Sequence, residues 1–181
     1  NKEILVVDDS SDKTPEIVKE YAARGVRLIN GPRKGCCEAV NRGIEEATGD
    51  VIVQADADVR PPKNFLEKLA EKYEAGADWV IVDCRIPEWN TKAMFSRFSG
   101  AQHVYEHPPE RSDMLYAEAF SVRRDLAIKH GMFGPSQPVR FCRDWILGKK
   151  LTEAGYKKVI SGGNLFVVRI QFIIDIFNGL K

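Results

Sequence analysis

Apolar and polar positions change period in blocks along this chain, and each change marks an element. Ile4-Leu5-Val6-Val7 is a short apolar run that ends in Asp8-Asp9, the pattern of a buried strand with a polar carboxyl end. Thr14-Pro15-Glu16 reads as N-cap, N1 proline and first-turn acid, so a helix is predicted from there to about Arg24, where Gly25 stops it. Val26-Arg27-Leu28-Ile29 is a second strand and Asn30 to Gly35 a polar loop. A second helix runs from about Cys36 to Ala47, with Ala39, Val40, Ile44 and Ala47 on one face and Gly49 as its end. Val51 then opens a third apolar run, which discharges into Asp56-Ala57-Asp58. Strand, helix, strand, helix, strand at the spacing of right-handed crossovers predicts an α/β domain with a mostly parallel, Rossmann-like sheet flanked by helices. The carboxyl ends of its strands would gather two acidic clusters and a basic loop on one rim, where ligands of open α/β sheets bind.

The second half is less regular. Pro61-Pro62 opens a helix carrying Phe65, Leu66, Leu69 and Tyr73, ended near Gly76, and Trp79-Val80-Ile81-Val82 is another buried strand. From Arg85 to Ser112 no period holds, and Trp89, Phe95, Phe98, Tyr105 and two histidines lie among prolines and charges. A long irregular stretch inside a compact domain is commonly a binding element. Tyr116 to Val122 alternates like a strand, Arg123-Arg124-Asp125 opens a short helix ending at Gly131, and Trp145 to Ala154 is a further helix. Leu165 to Leu180 is apolar, with Phe166, Ile170, Ile173, Ile174 and Phe177 on one helical face, and too interrupted by polar residues to span a bilayer. It predicts a C-terminal apolar helix with three candidate roles: packing on the core, lying on a membrane surface, or meeting another subunit.

Composition adds limits. With 181 residues and 44% hydrophobic content the chain can bury a core without staples, as one domain divided into residues 1–84, 85–160 and 161–181. A net charge of +1 and the lack of a basic block interleaved with aromatics argue against nucleic acid. Cys36, Cys37, Cys84 and Cys142 include no Cys-x-x-Cys pair and no histidine at zinc spacing, so they read as reduced thiols. No signal-peptide pattern opens the sequence.

The chemistry lies in the acids. If the backbone stays extended past Ala55, period two puts Asp56 and Asp58 on one side, where a single hard cation could bridge them to a polyphosphate. The plainer reading is a solvated turn at a strand end. Arg33 and Lys34, in the loop before the second helix, are placed to touch such a phosphate or simply to sit in solvent.

Four ordered stretches resemble inverting nucleotide-sugar glycosyltransferases of the family 2 type, with the GT-A fold. They are Val6-Val7-Asp8-Asp9-Ser10-Ser11-Asp12, Asn41-Arg42-Gly43-Ile44 with Thr48-Gly49-Asp50-Val51-Ile52, Asp56-Ala57-Asp58, and Arg143-Asp144-Trp145 through Tyr156-Lys157. The resemblance implies that Asp8, Asp9, Ser10, Lys34, Gly35, Asn41 and Asp56 hold the donor nucleotide, and that Asp58 with Asp56 holds Mn2+ or Mg2+. It makes Asp144 the general base, with helix capping as its plainer role, and puts Glu118, Trp145 and Trp89 on the acceptor side, with His103 and Tyr105 near them. The implied partners are a UDP- or GDP-linked sugar and a glycan or lipid-linked acceptor. The implied place is the cytoplasm, with Leu165 to Leu180 offering contact to the cytoplasmic face of a membrane.

The chain departs from that pattern in three places. Members usually begin with one more strand before the Val-Asp-Asp strand, so either a segment precedes this sequence or the donor site is incomplete. The usual glutamate before the base is Arg143, and the second acid of that helix start is Ile146. His103, His107 and His130 offer no match for a metal-shell histidine. Two other classes compete. A response-regulator receiver domain shares the topology, but the strand Trp79 to Cys84 and the residues after Cys84 lack the hydroxyl residue and Lys-Pro pair it needs. The other is a catalytically weakened sugar-nucleotide-binding protein of the same fold. A nucleotidyltransferase would open on a glycine-rich phosphate loop, which is not present.

Overall fold

The first two strands pair in parallel, β1 (Ile4–Asp8) beside β2 (Val26–Asn30), in register from Ile4 opposite Val26 to Asp8 opposite Asn30. The structure, a computed structural model, describes residues 2–56, 59–85, 119–134, 144–161 and 166–169. Between β1 and β2 the chain forms α1 (Thr14–Lys19) and then a tight 3₁₀ turn over Ala22–Arg24. The single helix expected to reach Arg24 is thus broken after Lys19. Nothing in α1 is buried, so no apolar stripe rewards its extension, and the tighter turn delivers the chain to Gly25 at φ 83°. Thr14 is not the N-cap either: it is the first helical residue, and its N–H donates to the Asp12 carboxylate at 2.8 Å.

The central sheet runs β3 (Val51–Ala55), β7 (Ala119–Arg123), β5 (Trp79–Ile81) and β8 (Lys158–Ile160). β7 is antiparallel to both its neighbours, whereas β5 and β8 are parallel, so the α/β sheet is mixed rather than uniformly parallel. Period two sorts the side chains. Trp79, Ile81, Phe120 and Val122 enter one buried cluster with Cys37 and Ile44 of α2 (Cys36–Glu46), Leu126 of α4 (Arg124–Lys129), and Leu147 and Leu151 of α5 (Asp144–Glu153). Val80 and Val82 enter the opposite cluster with Phe65, Leu69 and Tyr73 of α3 (Phe65–Glu74). Helices therefore cover both faces.

Arg123 and Arg124 tie those layers together, because adjacent strand-end residues point to opposite faces. Arg123 donates to the carbonyls of Ala77 and Tyr73 at the end of α3, and Arg124 to those of Ile44 and Glu45 at the end of α2. Cations at helix C-termini meet both unbonded carbonyls and the negative end of the dipole. Glu3 performs a similar service at the edge, its Oε1 accepting from the Thr48 hydroxyl and the Gly49 N–H, each at 3.0 Å. The Thr48 N–H, ahead of the other donors, holds the Glu3 carboxyl below its ordinary range against a smaller opposing effect of burial.

One polar pair crosses the core. Tyr73 Oη and Ser121 Oγ lie 2.7 Å apart, and burial pushes the tyrosine phenol well above its usual range. Tyr73→Phe leaves the fully buried Ser121 hydroxyl without its partner and is expected to cost about 1–3 kcal/mol, while Tyr73→Phe with Ser121→Ala costs less than the two single changes added. Urea denaturation of the four proteins measures this, and strict additivity would show that the pair is not coupled.

A second, small sheet places β9 (Phe166–Arg169) between β4 (Val59–Arg60), to which it is antiparallel, and β6 (Asp83–Arg85), to which it is parallel. This corrects the apolar helix expected from Leu165: the segment starts as a strand, because β-branched Val167 and Val168 fall between two short strands that each need a ladder partner. Residues 170–181 lie outside the described residues. No described helix is long and apolar enough to cross a membrane.

Candidate functional site

The carboxyl ends of β1 and β2 and the start of α2 enclose a cleft of about 490 Å³, lined by Val7, Asp9, Ser11, Arg33, Gly35, Cys36 and Ala39. Its shape is set by one close approach. Gly31 donates its N–H to the Asp8 carbonyl at 2.9 Å, and a Cβ on Gly31 would land inside the Asp9 carboxylate. Any larger residue at Gly31 would displace that carboxylate. Two residues on, Arg33 takes a left-handed backbone, φ 55°, and donates its N–H to Asp9 Oδ1 at 2.9 Å. The loop thereby fixes Asp9 at the cleft wall while the Arg33 side chain lines the same space.

Asp8 is turned differently. Its Oδ2 accepts the Ser10 hydroxyl at 2.9 Å, which winds up the acidic loop after β1. The Asp12 carboxyl is held below its ordinary range by the hydroxyl and N–H of Thr14, with Ser10 adding to them. Gly35 precedes α2 without a side-chain cap, so the first N–H groups of that helix and its positive dipole end open where the cleft begins. Cys36 stands there exposed and Cys37 buried, neither in a disulfide.

Asn41 is placed elsewhere. Its amide donates to the Phe133 carbonyl at 3.0 Å and accepts the Phe133 N–H at 2.9 Å. Both ends are used in fastening α2 to the turn after α4, where Gly131 and Met132 have φ of 82° and 53°. The structure thus gives Asn41 a scaffold contact with Phe133. Sequence could not show this, since Asn41 and Phe133 are 92 residues apart.

At the other acidic cluster the extended geometry expected past Ala55 is not kept. The ladder of β3 ends with Ala55 opposite Ala119, and the Val59 N–H closes back on the Asp56 carbonyl at 3.2 Å. Asp56 Oδ1 accepts from Gln54 Nε2 at 2.9 Å. Asp58 lies outside the described residues, as do Glu118, Trp89, His103 and Tyr105. Among the described residues no group of three or more His, Cys, Asp or Glu side chains converges as a metal shell. The donors that Asp56 and Gln54 bring are carboxylate and amide oxygens, the chemical kind that Mg2+ and Mn2+ take.

Asp144 is the first residue of α5, whose Leu147 and Leu151 are fully buried under the sheet. Its helix is therefore anchored on the core. The side chains of Asp144 and Trp145 are not among the described ones. Gln54 and Gly31 are the residues that motif reasoning missed. A lone amide in the run Val51–Ala55, two residues before an aspartate, was the available signal for the first.

The model of the family described as glycosyl transferase family 2 matches residues 1–133. The chain belongs to glycosyl transferase family 2. It is 40% identical over 86 residues to the dolichol-phosphate mannosyltransferase of Pyrococcus furiosus, a stretch covering 45% of this chain and 24% of that protein. To the undecaprenyl-phosphate 4-deoxy-4-formamido-L-arabinose transferase of Edwardsiella ictaluri it is 34% identical over 83 residues, 43% of this chain and 26% of the other. The matched stretch therefore spans about a quarter of these relatives. Among solved structures, the mannosyltransferase PcManGT of Pyrobaculum calidifontis, in complex with GDP-Man and Mn2+, superposes with a TM-score of 0.67 at 23% identity, over 92% of this chain and 47% of that one. TarS of S. aureus, in complex with UDP-GlcNAc, gives 0.68 at 17% identity, over 94% and 50%. These likenesses establish a GT-A fold for this family 2 domain.

Proposed function

We propose that this family 2 domain transfers a sugar from a nucleoside-diphosphate sugar to an acceptor with inversion, assisted by a divalent cation. The observation that carries the proposal is the family match over residues 1–133 together with the cleft it contains, walled by Asp9 and Arg33 at the mouth of α2. A nucleotide needs an acceptor for its base N–H groups and positive groups for its phosphates. Asp9 supplies the first; Arg33 and the open N–H groups of α2 supply the second, with Lys34 beside them in the chain. Asp58 and Asp56 would hold the cation, which when bound neutralises charge on the departing diphosphate. A receiver domain has no use for this cleft, and the family match removes that alternative.

The acceptor decides the role of Asp144. A sugar hydroxyl must lose a proton as it attacks, so a carboxylate at the start of α5 acts as base. The relatives named above as dolichol-phosphate and undecaprenyl-phosphate transferases favour a second reading, in which a lipid phosphate is the nucleophile. That group is already ionised at neutral pH and needs no base. In both readings the segment 85–143 and the chain after Leu165 would serve the acceptor side, next to a membrane surface when the acceptor is a lipid.

A melting series with UDP, GDP, CDP and dTDP, with and without Mn2+ or Mg2+, tests the donor half of the proposal. A ligand that binds only the folded state at about 100 times its dissociation constant adds about 2.7 kcal/mol of stability. At least one diphosphate is expected to raise the melting temperature in a metal-dependent way. Absence of any shift across the series would sink the assignment.

A further inference from the structure

Helix α2 turns two faces to different work. Cys36 and Ala39 line the cleft, whereas Cys37 and Ile44 enter the core cluster that also holds Phe133, Leu147 and Leu151. Asn41 follows Cys37 by four residues and precedes Ile44 by three, so it stands on the second face, about 140° round the helix from Cys36. There both ends of its amide close on one residue: Nδ2 donates to the Phe133 carbonyl at 3.0 Å and Oδ1 accepts the Phe133 N–H at 2.9 Å. The residue so held ends a strained turn. Gly131 and Met132 have φ of 82° and 53°, and a left-handed methionine persists only where the surrounding structure over-determines it. The Met132 N–H returns to the Ala127 carbonyl at 2.8 Å, and the Phe133 ring meets that of Phe120 edge-on at 5.2 Å.

We propose that Asn41 is a positioning residue for the transfer step: by gripping both backbone groups of Phe133 it fixes the turn over residues 131–133, and through it the setting of α5, which begins at Asp144. The inference rests on Asp144 as the base proposed above, and it gives α2 a second part in the reaction besides opening the cleft. Phe133 is the point of transmission, because its backbone is held by α2 while its ring shares a buried cluster with Leu147 and Leu151 of α5. Apolar packing is non-directional and would seat these helices together at a range of settings; a planar amide bonded on both sides to one backbone residue admits few. A base works only within hydrogen-bond reach of the proton it takes, so a misplacement of about 1 Å costs a rate on the order of 100-fold while leaving the donor untouched.

Asn41→Ala, Asn41→Asp and Asp144→Asn, alone and combined, test this in the intact chain, each assayed well below its own melting temperature. Transfer is followed from radiolabelled GDP-mannose and UDP-GlcNAc to a panel of octyl glycosides, and nucleotide affinity by calorimetric titration with GDP and UDP in Mn2+. Asn41→Ala is expected to lower kcat about 100-fold while diphosphate affinity stays within about twofold of wild type. Added to Asp144→Asn it should cost less than about threefold more, since a base that is already gone cannot be misplaced. Asn41→Asp should recover relative to wild type as the pH is lowered, because the protonated carboxyl again offers Phe133 one donor and one acceptor. A lower melting temperature with wild-type kcat would reduce Asn41 to a scaffold residue, and a loss of diphosphate affinity would make it a donor contact. Losses that multiply in full would show that it acts apart from Asp144; each of these results overturns the inference and leaves the base standing. Near wild-type transfer by Asp144→Asn, or no transfer by wild type to any glycoside, removes the base itself, and the role of Asn41 falls with it.

Discussion

Asp144→Asn is expected to lower sugar transfer to a hydroxyl acceptor by about two to four orders of magnitude while nucleotide affinity persists. Asparagine has the size of aspartate and serves nearly as well at a helix start, so α5, held by buried Leu147 and Leu151, should keep its place. What it cannot do is take a proton. A carboxylate of ordinary pKa near ~3.9 is a poor base for a free alcohol, yet it suffices once positive charge grows on the sugar and the attacking hydroxyl becomes acidic. The same variant separates the two acceptor classes. With a lipid phosphate as nucleophile the loss should be far smaller, because no proton has to be removed. The comparison requires radiolabelled transfer to both acceptors by the intact protein. A near wild-type rate on a hydroxyl acceptor would make Asp144 a helix-start residue only, with Glu118 the next carboxylate to test.

Asp58→Asn is expected to remove the metal-dependent part of nucleotide stabilisation. The diphosphate and the strand-end acids are all negative, and a divalent cation between them turns repulsion into attraction; an amide oxygen in place of the carboxylate removes one unit of charge from its shell. If the stabilisation in wild type is about 2.7 kcal/mol, it appears as roughly 5–10 °C in the melting temperature of a domain this size. The variant should show only the metal-independent remainder, with its unliganded melting temperature as the control for folding. Equal shifts in the two proteins, with every nucleotide and both cations, would remove Asp58 from the site.

Much of this was legible along the chain because it depends on near neighbours. The apolar run Ile4–Val7 ending in Asp8-Asp9, the stop at Gly25, the span of α2 and the run into Asp56 all follow from periodicity and punctuation. Family membership followed from the same stretches, since four ordered motifs are far more specific than any one. Local rules failed where a distant partner decided the outcome. α1 stops at Lys19, lying against β1 and β2 without a buried residue, and β7 runs antiparallel to both β3 and β5. Phe166 begins a strand because β4 and β6 flank it.

Within the site the same division holds. Sequence by itself determined which residues carry charge near the strand ends: Asp8, Asp9, Lys34, Asp56 and Asp58. Tertiary structure decided what each is free to do. Asp9 faces the cleft because Gly31 admits the loop beside it, Asp8 turns to Ser10, and Asn41 is spent on Phe133. The physical reason is that a residue's type sets which hydrogen bonds and charges it can offer, whereas burial and the partners brought to it across the fold set which of them remain for a ligand.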